Sequence, residues 1–321
     1  GMRYQPRSRG LGDVYKRQWW GLEKNRQAAQ VDAAAHEREE YIPFEPAIVA
    51  DTDEFLVVDK PPFLPATPNG RIVANTVQER LRRSLGEPEI VAVHRLDLLT
   101  SGLLLLSRNP ATRARYQQLF QNQEITKEYE CLTVMPDDWH VGETRDVTLL
   151  LDPNPAGRGV KVVETDDFAR AAAKNPKFKL ARTTVTFLGR VAADIGDVLA
   201  NSHGGGATST SIPLHAVGCG CGHCGSRMQV GHWRLQPHTG RTHQLRATMD
   251  WLGYPILGED TYGREAGAQG PSASASGVPK YTPQLRLTAT ALAFVDPVTG
   301  ERRAYRSART IAAPADVPTT P

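Results

Sequence analysis

Apolar positions along the chain gather in a few short runs, the densest being Leu103-Leu104-Leu105-Leu106. It follows a polar patch, His94-Arg95 with Asp97, and a turn signal at Ser101-Gly102. An unbroken run of this length predicts a strand buried on both faces, because a half-buried strand would alternate. Phe55-Leu56-Val57-Val58-Asp59 predicts another strand, stopped by Lys60-Pro61-Pro62. A helix is predicted over Thr76–Ser84, with Asn75 as N-cap, Gln78 three residues on and Gly86 as its stop. A second helix opens at Asn109-Pro110, the Asn capping and the Pro at the first helical position, with Leu119 and Phe120 as apolar contacts.

Strand patterns then dominate, at Glu128–Met135, Val147–Leu151, Ala181–Gly189, Gly231–Leu235 and Gln284–Phe294. Helices and strands are mixed rather than regularly alternating. That order predicts an α+β fold, with a mixed, largely antiparallel central sheet flanked by helices. Two stretches interrupt the pattern. Residues 154–179 read as a polar connection with little periodicity, and residues 192–228, rich in Gly, Ser and Ala, as an insertion into the sheet. Glu23–Glu40 has good helix propensity but a poor apolar stripe, so it predicts a peripheral helix. The expected layout is a leader over 19–45, a main domain over 46–312 carrying the insertion, and a disordered tail over 313–321.

Charge alters this picture in one respect. The formal net charge is +3, but residues 1–18 hold five basic residues and one acid. That stretch reads as foreign to the natural protein. Gly1 before Met2 looks like a tag remnant, and Asp13–Gln18 is what a transposase sequencing adapter encodes in one frame. Without it the net charge is −1, so contact with a polyanion must rest on a local patch. No apolar run approaches the length that crosses a bilayer, and no signal-peptide pattern is visible. Four cysteines, three of them clustered, do not make a secreted disulfide framework. A cytoplasmic protein without a membrane partner is expected.

Asp97, beside a buried run, must be hydrogen-bonded, paired or shifted in pKa, because a lone buried charge is costly. Alone it reads as a residue capping a turn. Its company changes that reading. His94-Arg95-Leu96-Asp97 is followed by Thr100-Ser101-Gly102 and the leucines, and then by Lys127-x-Tyr129. Pro-His-Thr-Gly-Arg-Thr-His-Gln-Leu-Arg follows at 237–246, and Leu-Gly-Tyr-Pro-Ile-Leu-Gly-Glu-Asp-Thr-Tyr-Gly at 252–263. These blocks, in this order between Ile48 and Val295, resemble the RluA-type pseudouridine synthase family.

The resemblance implies the fold of that family, a catalytic cleft along the sheet, and isomerisation of uridines in ribosomal or transfer RNA. The bond from the ribose anomeric carbon to the ring nitrogen breaks, the uracil turns, and it is re-bonded through carbon. Such chemistry needs a nucleophile or electrostatic stabiliser, a proton-transfer group and a dry pocket for an extruded base. By resemblance Asp97 is the nucleophile, attacking the sugar in the preferred reading and the ring in the rival one. Tyr129 stacks under the uracil and relays a proton. Arg246 faces Asp97 and holds it as a carboxylate. Arg95 fills the space left by the flipped base, and Leu245 packs on the uracil face. Arg241, Thr242 and His243 offer donors to phosphate. Thr100, Lys127, Gln244 and His94 complete the expected substrate-binding set, His94 in a structural role. No cofactor is implied, and the expected partner of this monomer is RNA.

One position departs from the pattern: where relatives place a His two residues after the Arg, this chain has Thr248. Cys219-x-Cys221-x-His223-Cys224 offers four soft ligands within six residues, and glycines at 218, 220 and 222 relax its backbone. Structural zinc sites more often use two separated ligand pairs, so a Gly-rich loop with incidental thiols is the preferred reading and zinc the alternative. Three other functions stay open on the sequence: an RNA-binding protein on this fold without catalysis, a zinc-dependent RNA module built on the insertion, and a glycoside hydrolase. The last lacks a second carboxylate in a comparable motif.

Overall fold

In the computed structural model, which describes residues 39, 41–69, 72–153, 159–194, 227–262, 285–309 and 311, the leucine run lies inside one large sheet. The elements in chain order are β1 (Ala47–Asp51), β2 (Phe55–Lys60), α1 (Val77–Leu85), β3 (Val91–Ala92), β4 (Ser101–Ser107), α2 (Arg113–Gln121), β5 (Thr126–Thr133) and β6 (Thr144–Asp152). They continue with β7 (Lys161–Val162), α3 (Phe168–Lys174), β8 (Lys179–Asp194), β9 (Arg227–Pro237), α4 (Gln244–Trp251), β10 (Leu287–Val295) and β11 (Arg302–Arg306). Eleven strands form the sheet in the order β1-β2-β4-β10-β5-β9-β8-β6-β7, with β11 beside β10 and β3 beside β4. Among the described residues β4–β10 is the one parallel pairing, and the rest are antiparallel.

β4 lacks alternation because both sides of it are covered. Leu104 and Leu106 join Leu56, Val58 and Ile90 in the larger core on one face of the sheet. Leu103 and Leu105 join Phe55, Val57, Tyr116, Leu119 and Phe294 in a second core on the other. Each such leucine stabilises the fold by roughly 1.5–3 kcal/mol relative to exposure.

Several local expectations are corrected. Ser101 and Gly102 are not the turn; they begin β4, and the turn lies one step earlier, closed by Thr100 N–H donating to Asp97 O at 3.2 Å. The cap of α1 is Thr76, whose hydroxyl accepts from Glu79 N–H at 3.2 Å. Asn75 is engaged elsewhere: its side-chain oxygen accepts from the buried Arg80 at 2.8 Å. The second helix starts at Arg113, not Pro110, because Asn109 closes a local turn onto Ala111 N–H and Glu54 holds both Asn109 and Thr112. The stretch 154–179 contains β7 and α3, the latter capped by Asp167 on Arg170 N–H at 2.9 Å. The leader drawn to residue 45 gives its end to the core. Ile42 and Phe44 are buried there, and their carbonyls accept from Arg80 at 2.7 and 2.6 Å. Residues 1–38 and 312–321 lie outside the described residues.

The insertion is narrower than 192–228. β8 and β9 stay paired out to Ala193↔Met228 and Asp194↔Arg227, so residues 195–226 join the two ends of a ladder. Cys219, Cys221, His223 and Cys224 fall within that segment, outside the described residues. Replacing 195–226 with an Asn-Gly hairpin turn is expected to leave the fold intact. Closing a long loop costs only a slowly growing entropy, so unfolding free energy should change by no more than about 2 kcal/mol. Denaturant titration checks this. A stoichiometric zinc in the parent, lost together with several kcal/mol on trimming, would favour the metal reading instead.

Candidate active site

Asp97 sits on the loop that enters β4, and two contacts from a distant part of the chain hold that loop. The Leu98 carbonyl accepts from Phe63 N–H at 2.9 Å and from Lys60 Nζ at 3.1 Å. Lys60 is fully buried at the end of β2 and donates also to the carbonyls of Pro61 and Leu64, both at 2.9 Å. Burial pulls its pKa down to about 7, opposed by the Asp97 charge. Three carbonyl acceptors match the three donors of an ammonium, so the geometry favours the charged form. In the sequence Lys60 reads only as part of a strand stop. Its identity as a buried lysine is a consequence of β2 having both faces covered.

A cross-sheet row brings the other chemistry to Asp97. Gly102 on β4 is opposite Ala289 on β10, Ala289 is opposite Tyr129 on β5, and Tyr129 is opposite Leu235 on β9. Tyr129 is buried. Burial, and then the Asp97 charge, push its phenol well above the usual range, so Tyr129 is neutral. Lys127, two residues back on the same side of β5, donates to Thr239 O at 3.2 Å, and burial lowers its pKa.

The third contribution comes from the loop 237–243 and α4. Gln244 organises this loop. Its side-chain oxygen accepts from Thr239 Oγ1 at 2.7 Å and Arg241 N–H at 3.1 Å. Its nitrogen donates to Arg182 O at 2.8 Å and Thr183 Oγ1 at 2.9 Å. All four bonding positions of the amide are filled, so Gln244 builds the loop and has none left for substrate. That corrects its expected substrate-binding role. His94 is likewise occupied: Nε2 accepts from Leu105 N–H at 3.0 Å, and the ring stacks on Phe120 at 4.4 Å. Burial pushes its pKa down to about 3, so it is a neutral structural imidazole.

Asp97, Tyr129 and Arg246 line one cavity of about 400 Å³, together with His94, Arg95, Thr100, Lys127, Arg241, Thr242, His243, Gln244 and Leu245. All twelve expected site residues are therefore gathered, although they come from three separated stretches of chain. Within this set the pairing differs from expectation. Arg246 does not hold Asp97. Its Nε donates to Glu259 at 2.7 Å, and its Nη2 pairs with Glu259 and with Asp260 at 2.5 Å. Burial opposes the charge, and these two carboxylates more than restore it. The residue facing Asp97 is His243, with Nε2 3.8 Å from Oδ2. Glu259 and Asp260 lie in the quoted 252–263 block, yet only folding reveals that they capture the arginine first. Arg95, Arg241 and Thr242 are exposed at the mouth, Leu245 and Thr100 buried within. The cavity thus combines apolar and aromatic side chains with the half-buried Lys127 and the buried Arg246, a single lining carboxylate, Asp97, and the exposed Arg95 and Arg241 at its rim. Among the described residues no cluster of three or more His, Cys, Asp or Glu could hold a metal, and no helix is long and apolar enough to cross a membrane.

A family model described as RNA pseudouridylate synthase matches residues 54–251. Human pseudouridylate synthase RPUSD2 is 28% identical over 254 residues, 78% of this chain and 37% of that protein. The dual-specificity RNA pseudouridine synthase RluA of Vibrio vulnificus is 28% identical over 254 residues, 78% of each. The mitochondrial tRNA pseudouridine(32) synthase of Saccharomyces cerevisiae is 26% identical over 218 residues, 68% of this chain and 37% of that protein. The chain spans well under half the length of the first curated relatives it matches, 44% of one and 37% of two others. Among solved structures, human RNA pseudouridylate synthase domain containing 1 superposes with a TM-score of 0.55 at 21% identity, covering 84% of this chain and 86% of that one. That likeness establishes the α+β fold.

Proposed function

The chain belongs to the RNA pseudouridylate synthase family, and we propose that it isomerises particular uridines of ribosomal or transfer RNA to pseudouridine, with Asp97 as the nucleophile. The observation that carries this reading is one cavity lined by both a partly buried Asp97, which faces His243, and a buried, neutral Tyr129 whose phenol feels the Asp97 charge. Its volume suits one extruded base, and the low-dielectric lining strengthens charge interactions at the breaking bond. Attack of Asp97 on the anomeric carbon releases the uracil. Tyr129 and Leu245 offer surfaces on which the freed ring turns. Arg95, Arg241 and Thr242 at the rim are placed to meet the RNA backbone, a contact of local charge that needs no basic chain overall.

The names of two relatives bear on the choice of RNA. One is named for dual RNA specificity, another for a tRNA position. The reaction requires no redox or Lewis-acid step, so we assign it no bound cofactor; a monomer working on RNA in the cytoplasm is part of the same proposal. Mapping modified uridines in RNA from a deletion strain and its parent tests the reading. One or a few pseudouridines in ribosomal or transfer RNA are expected to vanish and to return on complementation. An unchanged map in both RNA classes would overturn the assignment.

A further inference from the structure

His243 is one of three described non-glycine residues with positive φ, at 50°. A left-handed backbone at such a residue costs on the order of 1–3 kcal/mol and calls for a reason. Capping is not the reason, since its side chain makes no bond to the first turn of α4. What the conformation achieves is to aim the ring into the cavity, 3.8 Å from the Asp97 carboxylate.

The neighbours of the ring determine its tautomer. Nε2 is 3.3 Å from Arg246 Nη1. A guanidinium only donates, so Nε2 carries a lone pair. Nδ1 is 3.3 Å from the Tyr262 hydroxyl oxygen, which also accepts from Val160 N–H at 2.8 Å. The Nδ1–H donates to that oxygen and completes the arrangement. Nε2 is therefore the basic nitrogen, 3.8 Å from the Asp97 carboxylate that would stabilise an imidazolium, and taking a proton there means releasing the long 3.3 Å contact from Arg246 Nη1. Around the ring stand Asp97 from the β4 loop, Arg246 on α4, Glu259, Asp260 and Tyr262 from the loop after it, and Lys127 on β5 across the cavity. Burial and Arg246 disfavour a positive ring, the three carboxylates favour it, and the balance keeps its pKa below the ordinary 6.5. His243 is thus a free base at neutral pH. Tyr129 is not, because its proton is held too tightly.

We propose that His243 is the proton acceptor of the isomerisation, taking the C5 proton of the re-bonded uracil onto Nε2. The inference rests on the pseudouridine reading above. Once C5 has bonded to the anomeric carbon, it carries both the sugar and its hydrogen. Loss of that proton to Nε2 returns the C–H electron pair to the C5–C6 double bond, and the C6–N1 π pair moves to N1. N1 is then protonated by the imidazolium or by water, and His243 is neutral again.

Ribosomal and transfer RNA transcribed with uridine or with 5-fluorouridine separate this step from the others. Fluorine cannot leave C5 as a cation, so re-bonding of the fluorinated base makes no use of a proton acceptor there. His243→Gln is expected to slow conversion of uridine by roughly 10²–10⁴-fold while single-turnover re-bonding of 5-fluorouridine stays within about twofold of the unsubstituted protein. The unsubstituted protein should lose kcat/KM as pH falls below 6.5, since protonation removes the acceptor, and the variant should show no such limb. An unchanged uridine rate, or equal loss on both RNAs, overturns the proposal. His243→Asn provides the same pair of rates should the glutamine variant unfold. Asp97→Asn should lose both reactions. If the unsubstituted protein converts no uridine in either RNA, it is the function itself that fails.

Discussion

Asp97→Asn should reduce pseudouridine formation by roughly 10⁴-fold or more while RNA binding largely survives. Asparagine keeps the shape of the side chain and removes both the charge and the nucleophile. Binding persists because phosphate contacts carry most of the affinity for RNA, and those contacts belong to Arg95, Arg241 and their neighbours at the rim. Folding should be little affected. The Asp97 side chain is 22% exposed, and the neighbouring imidazole of His243, uncharged at neutral pH, stands a long 3.8 Å away, so little native stabilisation is lost with the charge. Single-turnover conversion and filter binding on the same RNA check both halves. Turnover near that of the unsubstituted protein would remove Asp97 from the mechanism, and parallel loss of binding would make it a contact residue instead.

Among the described glycines, Gly102→Ala should be the most damaging added methyl. The added carbon would lie 2.2 Å from the Ala289 carbonyl oxygen and 2.6 Å from its nitrogen, both backbone atoms with no rotamer to escape into. The residue also has φ of 103°. Strain and overpacking together should cost on the order of 3–5 kcal/mol. For a domain of this size that lowers Tm by on the order of 10 °C. Activity should fall further than stability, because Gly102, Ala289 and Tyr129 share one row across the sheet, and opening β4 from β10 moves Tyr129 away from Asp97. Gly253→Ala is the matched comparison: φ is 87°, yet nothing lies within 4 Å of the added carbon. It should cost only the conformational part, about 1 kcal/mol. Equal Tm values for the two alanine variants would show that Ala289 does not approach Gly102 so closely.

Pattern and motif sufficed for the composition of the site. The unbroken Leu103–Leu106 run implied a strand covered on both faces, and two cores do cover it. The blocks around Asp97, Tyr129 and Arg246 named residues that meet in one cavity. Helix starts were less legible. Asn75 and Asn109 are good capping residues by propensity, but Arg80 and Glu54, remote or on another turn, engage them first. β11 escaped notice because Arg302, Arg303 and Arg306 turn its sequence polar, while Tyr305 alone reaches the second core.

What the chain determined by itself is therefore the local half of the protein: which segments are apolar enough to be buried, and which reactive side chains lie on the connections between them. Pairing among those side chains was decided by the tertiary structure. Arg246 could meet Asp97 or Glu259, and the loop after α4 brings Glu259 and Asp260 within hydrogen-bond reach while Asp97 faces His243. Lys60 became a buried ammonium because Leu98 O, 38 residues away, was folded onto it. A charge selects the nearest opposite charge or carbonyl, since interaction falls with distance and burial excludes the competing water. Nearness of that kind is set by how strands from distant stretches align, a property that no local pattern encodes.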